Sequence, residues 1–228
     1  LLVRCFSLVP IIDAERVPLL GWQKEDVSMP IHGHYFNPVE SKGLIGRLRT
    51  EGAVCIPSLV KGDVLATIQS ELLPENGEPQ PVEIGSVGVR QHFTRIPMPG
   101  ALSVTHDVCI SLELLINDAL RTDGYSGDEL HFNDFRIQRY EAGSPGVTPH
   151  LDFKSDRGLI ALLSIVGEAR FCVCEDRDGR GARQVRSDPG DLILMRGYGF
   201  LGIEERPMHF VDSIRSTRIS IGLRCKVE

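Results

Sequence analysis

A short segment in the C-terminal half combines residue types that bind metal ions. His150 and Asp152 are separated by one residue, and residues two apart in a β-strand point to the same side. Their imidazole and carboxylate groups can therefore meet at one point, which His209 can approach from a later predicted strand. Two histidines and one carboxylate leave three positions open on a non-haem Fe(II) ion. We predict a metal site at these three residues, although H-x-D is a common pattern and His32 and His34 form a rival pair.

The segment 218–224 alternates between two kinds of side chain. One set is apolar and predicts a strand face in the core: Ile219, Ile221 and Leu223. The other set is polar or small: Arg218, Ser220, Gly222 and Arg224. This second set suits either an exposed strand face or a cavity wall in which two fixed guanidinium groups bind a small dianion.

Together these residues resemble the Fe(II)- and 2-oxoglutarate-dependent dioxygenases, and within that superfamily the AlkB-like branch. His150 and Asp152 match the family's H-x-D pattern, and His209 matches its distal iron-binding histidine. Arg218, nine residues after His209, matches the arginine that binds the far carboxylate of 2-oxoglutarate. The resemblance therefore implies Fe(II), 2-oxoglutarate and O2 as cofactors.

The AlkB-like branch has two further patterns that this chain follows in part. Its last strand reads R-x-N-x-T-x-R, and here both arginines are kept while Ser220 and Gly222 replace Asn and Thr. Its N-x-Y pattern corresponds to Gln138 and Tyr140. The alternative interpretation of Tyr140 is an aromatic residue of the core. The resemblance implies that Gln138, Tyr140 and Ser220 bind 2-oxoglutarate. It also implies that Arg224 lies near the metal-binding carboxylate or the other end of 2-oxoglutarate.

The reaction that the resemblance implies converts 2-oxoglutarate and O2 to succinate and CO2 while a C–H bond of a second substrate is oxidised. Hydroxylation, desaturation or demethylation are the expected outcomes. We interpret the chain as such an enzyme acting on a small molecule, in amino-acid or specialised metabolism. Two alternatives stay open: an AlkB-like demethylase of nucleic acids, which the two-arginine strand favours, and a non-catalytic jelly-roll binding module.

Cationic side chains outside the main strands are candidates for binding the substrate. Arg90 and Arg95 lie in the Pro- and Gly-rich region 76–100, which we interpret as a loop or hairpin lid, and Lys154 follows the metal motif. They favour an anionic or amino-acid-like substrate, with surface salt bridges as the alternative. The arginines between positions 177 and 186 alternate with acids, which is typical of a solvated turn.

Composition narrows the class of partner. The net charge of −6 argues against a partner held by its phosphates, and the aromatic content of 6% argues against stacked bases. No run of about 18 apolar residues predicts a membrane span. Six scattered cysteines favour reduced thiols and a cytoplasmic protein. The apolar start lacks a basic n-region and an initiator methionine, which favours a trimmed chain over a signal peptide.

The fold class we predict is mainly β with flanking helices (α+β), around a double-stranded β-helix, or jelly-roll, core. The apolar spacing predicts a short amphipathic turn within 44–48, helices within 64–72 and 112–120, and a strand at 53–56. Later strands are predicted at 135–140, 159–166, 170–175, 191–195, 209–214 and 217–224. We expect one domain over 1–228, with residues 1–130 as helical support and lid and residues 131–228 as the jelly-roll core.

Overall fold

The computed structural model describes residues 31–86 and 88–227, and only the backbone of residues 31 and 32. The predictions about the apolar start and about His32 as a ligand lie outside the described residues and side chains. The strands within the described part are β1 (Ala53–Ile56), β2 (Glu78–Pro79), β3 (Glu83–Ile84), β4 (Val89–Arg90), β5 (Thr94–Ile96), β6 (Asp134–Tyr140), β7 (Val147–His150), β8 (Asp156–Val166), β9 (Arg170–Cys174), β10 (Arg183–Val185), β11 (Leu192–Arg196), β12 (Met208–Asp212) and β13 (Arg218–Lys226).

These strands form two principal antiparallel sheets. The larger sheet has the order β1-β11-β8-β13-β6-β5-β2, and the smaller sheet has the order β10-β9-β12-β7. Strands β3 and β4 pair separately as a hairpin. Buried side chains of both sheets meet in one cluster, for example Tyr140 and Leu162 from the larger sheet with Phe171 and Val211 from the smaller one. This arrangement confirms the predicted jelly-roll core.

Three helices cover the other face of the larger sheet. They are α1 (Leu44–Glu51), α2 (Gly62–Leu72) and α3 (Val104–Thr122). Their buried leucines and isoleucines pack in a second cluster with the outward side chains of the larger sheet, including Ile219, Ile221 and Leu223. The apolar face predicted for 218–224 therefore packs against the helices, and its other face lines the interior of the jelly roll.

Helix α3 begins earlier than its apolar periodicity predicts. The Ser103 hydroxyl accepts a hydrogen bond from the His106 N–H at 3.1 Å, and the Glu71 carboxylate accepts hydrogen bonds from the N–H groups of Val104 and Thr105. These contacts satisfy N–H groups that a helix leaves free at its first turn. The helix therefore begins at Val104, two turns before the apolar stripe that starts at Leu112.

The six predicted C-terminal strands all correspond to observed strands, whereas β7 and β10 are additional. Strand β7 was obscured in the sequence because Pro149 and the neighbouring glycines are typical of turns. Region 76–100, predicted as a loop or hairpin lid, contains the four short strands β2 to β5. The five cysteines within the described residues are free thiols, as predicted. None of the helices described is both long and apolar enough to cross a membrane.

Candidate active site

Two neighbouring strands of the smaller sheet bring the predicted metal ligands together. His209 on β12 lies directly opposite His150 on β7, and the centroids of the two imidazole rings are 4.3 Å apart. Asp152 follows the end of β7, and its Oδ2 lies 3.4 Å from His209 Nε2. One ligand atom from each residue falls within 4.8 Å of the other two, and His34 is not part of this cluster.

Backbone carbonyls orient both imidazole rings. His150 Nδ1 lies 2.9 Å from the Thr148 carbonyl oxygen, and His209 Nδ1 lies 3.1 Å from the Pro207 carbonyl oxygen. A carbonyl only accepts hydrogen bonds, so in a neutral imidazole ring each Nδ1 carries the proton and each Nε2 keeps its lone pair for a ligand. Burial, with His209 as a second cause, lowers the pKa of His150 to about 4. His150 is therefore neutral near pH 7, as a metal ligand must be.

The Asp152 carboxylate also has the burial and charge state that suit a cation ligand. Its Oδ2 is buried and has no hydrogen-bond partner, although it lies 3.4 Å from Nε2 of His209. Burial opposes ionisation of Asp152, but the nearby Arg224 and the two histidines outweigh it and hold its pKa well below the usual range. Two imidazole rings and a carboxylate thus converge, and this donor set fits a divalent metal ion such as Fe(II).

Two arginines position Asp152 from outside the ligand cluster. Arg224 Nη2 lies 3.4 Å from Asp152 Oδ1, and Arg206 Nη1 donates a hydrogen bond to the Asp152 carbonyl oxygen. Arg224 Nε also lies 3.7 Å from Oδ2 of Asp156, a residue that is 0% exposed. Arg224 therefore lies near the predicted metal-binding carboxylate, which is one of the two positions that the resemblance implies for it.

Arg218 lies deep in the jelly roll and lacks an acidic partner. Its side chain is buried, and its Nη1 donates a hydrogen bond to the Ser220 hydroxyl at 3.0 Å. Its guanidinium carbon lies 5.4 Å from the centre of the Tyr140 ring. No carboxylate among the described residues lies within salt-bridge distance of it. The interior therefore holds a guanidinium group whose charge is uncompensated.

Gln138 and Tyr140 stand beside Arg218 because of strand register. Tyr140 pairs with Arg218 and Gln138 pairs with Ser220 across β6 and β13, so these four predicted contacts of 2-oxoglutarate share one inner face. The Tyr140 hydroxyl donates a hydrogen bond to Gln138 Oε1 at 3.3 Å. Burial raises the pKa of Tyr140 to about 12, although Arg218 opposes this shift. The phenol therefore stays protonated and able to donate to an anion.

Solved structures with a similar fold are oxygenases. A prolyl-4-hydroxylase from Pseudomonas putida superposes with a TM-score of 0.58 and 17% identity, over 81% of this chain and 98% of that protein. An oxidoreductase of the 2OG-Fe(II) oxygenase family from Burkholderia pseudomallei gives a TM-score of 0.54 and 18% identity, over 83% and 91%. A viral collagen prolyl hydroxylase from Paramecium bursaria Chlorella virus-1, in complex with 2-oxoglutarate, gives 0.52 and 14%, over 77% and 96%.

The chain has the fold of the 2-oxoglutarate oxygenases. Together with the His-Asp-His cluster, this fold supports the predicted cofactors, Fe(II), 2-oxoglutarate and O2. No family model and no curated protein matches the sequence. The compared structures are not of the AlkB-like branch by name, so that finer assignment stays a prediction.

In this oxygenase fold, the metal cluster and Arg218 line one cavity of about 270 Å³. Of the predicted substrate residues, Arg95 lines the cavity, whereas Arg90 and Lys154 do not. Arg90 is exposed on the β3–β4 hairpin, where its N–H donates to the Thr148 hydroxyl. Lys154 turns outward, and its ammonium nitrogen lies 5.4 Å from the centre of the Tyr198 ring. The cavity geometry therefore supports a substrate role for Arg95 alone among the three.

Two arginines that line the cavity were missed by the sequence interpretation. Arg136 lies two residues before Gln138 and four before Tyr140 on β6, so it shares their strand face. This two-residue spacing could have identified Arg136 as a cavity residue from the sequence. Arg177 was included in the solvated turn, but it lines the cavity, whereas Arg180 of the same loop pairs with Asp176. Arg177 is exposed in a turn, as the solvated-turn interpretation expects, and it also lines the cavity. The sequence carries no signal for its place at the cavity.

Proposed function

We propose that this protein is an Fe(II)- and 2-oxoglutarate-dependent oxygenase that oxidises a C–H bond of a small molecule. The observation that carries the proposal is Arg218, a buried guanidinium without an acidic partner in the cavity that holds the His-Asp-His cluster. A buried and unpaired charge is unfavourable. The far carboxylate of 2-oxoglutarate would compensate it through a charge-assisted pair.

In this proposal each group of the site has a separate part. His150, Asp152 and His209 would hold Fe(II), and Arg218 would bind 2-oxoglutarate with Tyr140 as a further donor. When bound, the iron, 2-oxoglutarate and O2 supply the oxidising chemistry, in which 2-oxoglutarate is split into succinate and CO2. The chain orients these molecules and surrounds them with a largely apolar wall that includes Leu162 and Val211, which excludes water from the reacting atoms.

The size of the cavity supports a small substrate. Pockets for small molecules commonly have volumes of ~300–1,000 Å³, and this cavity of about 270 Å³ is slightly smaller than that range. It must also hold 2-oxoglutarate. We further propose that the whole chain forms one catalytic domain, since the helical support and the jelly roll share the apolar cluster behind the larger sheet.

The test is the 2-oxoglutarate requirement of Arg218→Lys. Anaerobic titration of the Fe(II)-loaded protein would follow the absorption band of the Fe(II)–2-oxo acid chelate, and succinate release would be measured in air with carboxylic acids, amino acids and prolyl peptides. Lysine cannot reproduce the planar bidentate contact of arginine. We therefore expect the half-saturating 2-oxoglutarate concentration to rise at least tenfold while the iron content is unchanged.

Arg170→Lys is the matched control, because Arg170 pairs with Asp212 away from the cavity. This variant should have the 2-oxoglutarate requirement of the wild type. An equal requirement in the Arg218→Lys variant, or the absence of any chelate band in the wild-type protein, would contradict the proposed function.

A further inference from the structure

The cavity is lined by far more positive than negative side chains. Five arginines contribute to its lining: Arg95, Arg136, Arg177, Arg218 and Arg224. Among the described residues, Asp152 is the only carboxylate that lines it, and this carboxylate is committed to the metal cluster. The charge of the lining therefore favours anionic ligands.

Two of these arginines already have a role in the proposed function. Arg218 faces the expected position of 2-oxoglutarate, and Arg224 lies between the carboxylates of Asp152 and Asp156. The other three are closer to solvent. The proposed roles of the His-Asp-His cluster and of 2-oxoglutarate do not use the positive charges of these three arginines.

A single acid is shared by two of the outer arginines. Arg136 Nε donates to Asp134 Oδ2 at 2.8 Å, and Arg95 Nη2 lies 3.7 Å from Asp134 Oδ1. The two arginines and Asp134 thus form a group with one net positive charge on the larger sheet. Arg95 also keeps about half of its side chain exposed, so this group borders the opening of the cavity.

Arg177 adds a second positive charge from the smaller sheet. It is exposed, lies in the loop between β9 and β10, and has no ion pair among the described residues. Arg180 in the same loop binds Asp176, and Arg186, which follows β10, binds Asp188. Arg177 is therefore the arginine of this loop that has no ion pair among the described residues, and it lines the cavity.

Part of the remaining lining is apolar, beside Gln80 and Gln91. The apolar side chains are Ile84, Val89, Phe93, Leu151 and Phe153. Phe153 is 57% exposed, so its ring is available to contact a ligand. A ligand that fits this lining combines an apolar group with a negative charge.

We propose that the cavity binds, beside 2-oxoglutarate, a small apolar carboxylic acid that carries no cationic group. Arg177 binds its carboxylate, the Arg95–Asp134–Arg136 group adds positive charge, and the apolar chain packs on Phe153 and Leu151. This inference rests on the proposed function and narrows the anionic or amino-acid-like substrate expected from the sequence to an anionic one. A free α-ammonium group would face these arginines with no available carboxylate to pair with.

The test compares acids with amides of the same shape. Phenylacetate and hexanoate, each with its amide and the corresponding primary amine, would be titrated by calorimetry into protein loaded with Mn(II) and 2-oxoglutarate, which prevents turnover. We expect each acid to bind at least tenfold more tightly than its amide, and the amines to bind most weakly. Arg177→Gln should weaken binding of the acids about tenfold and leave that of the amides unchanged.

Arg180→Gln is the matched control, because it removes an arginine of the same loop that pairs with Asp176 outside the cavity. It should preserve the preference for acids. Equal affinities of acids and amides, no binding of either acid, or acid binding that is insensitive to Arg177→Gln would overturn the inference. Binding of 2-oxoglutarate is measured first in the same samples, so a failure of the proposed function is recognised separately.

Discussion

At the scale of single residues, Gly222 explains how a departure from the AlkB-like pattern fits the site. A Cβ atom at this position would lie 2.6 Å from Arg224 Nη1 and 3.3 Å from Leu162 Cδ2. Threonine, which the pattern R-x-N-x-T-x-R has here, would need still more room. Glycine therefore allows the Arg224 guanidinium to lie over β13 and to reach both Asp152 and Asp156.

Gly222→Ala tests this role. The added methyl group must displace Arg224, so we expect iron affinity to fall by about tenfold through loss of a contact that orients Asp152. We also expect the free energy of unfolding to fall by ~1–3 kcal/mol from overpacking. Metal titration and urea unfolding would measure the two effects.

The control for this variant is Gly46→Ala. Gly46 lies in α1 with no atom near its added Cβ, so alanine should stabilise the helix by up to ~1 kcal/mol and leave iron affinity unchanged. If Gly222→Ala bound iron as the wild type does, Arg224 would have no part in orienting Asp152.

At the scale of elements, the pairing of β7 with β12 places His150 and His209, the two proposed metal ligands, opposite each other. The chain enters β7 through Gly146, which has φ of +80°. A Cβ atom there would lie 1.9 Å from the Val211 carbonyl oxygen of β12. The close approach of these two backbones, and hence the separation of His150 and His209, requires glycine at this position.

Gly146→Ala and Gly143→Ala form a matched pair that separates backbone strain from steric contact. Gly143 has φ of +79° and no atom within 4 Å of its added Cβ. Both substitutions should therefore cost about 1–2 kcal/mol of stability from the left-handed backbone. Only Gly146→Ala should push β7 away from β12, and we expect it to lower the iron content of the folded protein severalfold.

Elemental analysis of protein that has passed size exclusion would measure the iron content of both variants. Similar iron contents would show that the metal cluster does not depend on this backbone contact.

At the scale of the whole molecule, a net charge of −6 surrounds a cavity lined by arginines. Such a distribution attracts a small anion that can enter the cavity, but it disfavours a polyanion that must lie along the surface. Of the Phe and Tyr side chains that line the cavity, Tyr140 and Phe171 are buried in its wall, which leaves Phe93 and Phe153 as the rings that could contact a flipped base.

We therefore predict that methylated oligonucleotides do not stimulate succinate release, whereas small apolar acids do. Any binding of oligonucleotides should depend weakly on salt, with a slope of log K against log salt concentration no steeper than about −1. Fluorescence anisotropy at several salt concentrations, together with succinate assays, would measure this. Robust demethylation with a steep salt dependence would favour the AlkB-like alternative.

The sequence by itself determined the features that depend on residue type and short-range spacing. The pair His150 and Asp152, the later His209 and the alternation along 218–224 are visible because a strand exposes every second residue to the same side. The same periodicity predicted the six C-terminal strands and the jelly-roll class. These features are local, so no knowledge of distant contacts was needed to recognise them.

The tertiary structure decided which distant residues complete the site. Arg177 lines the cavity because a loop of the smaller sheet folds over it, and Arg206 reaches the Asp152 carbonyl from 54 positions away along the chain. Asp156 becomes fully buried beside Arg224 although its neighbours Lys154 and Arg157 are exposed. Each of these placements is fixed by strand register and loop path, which follow from packing of the whole chain and leave no local pattern.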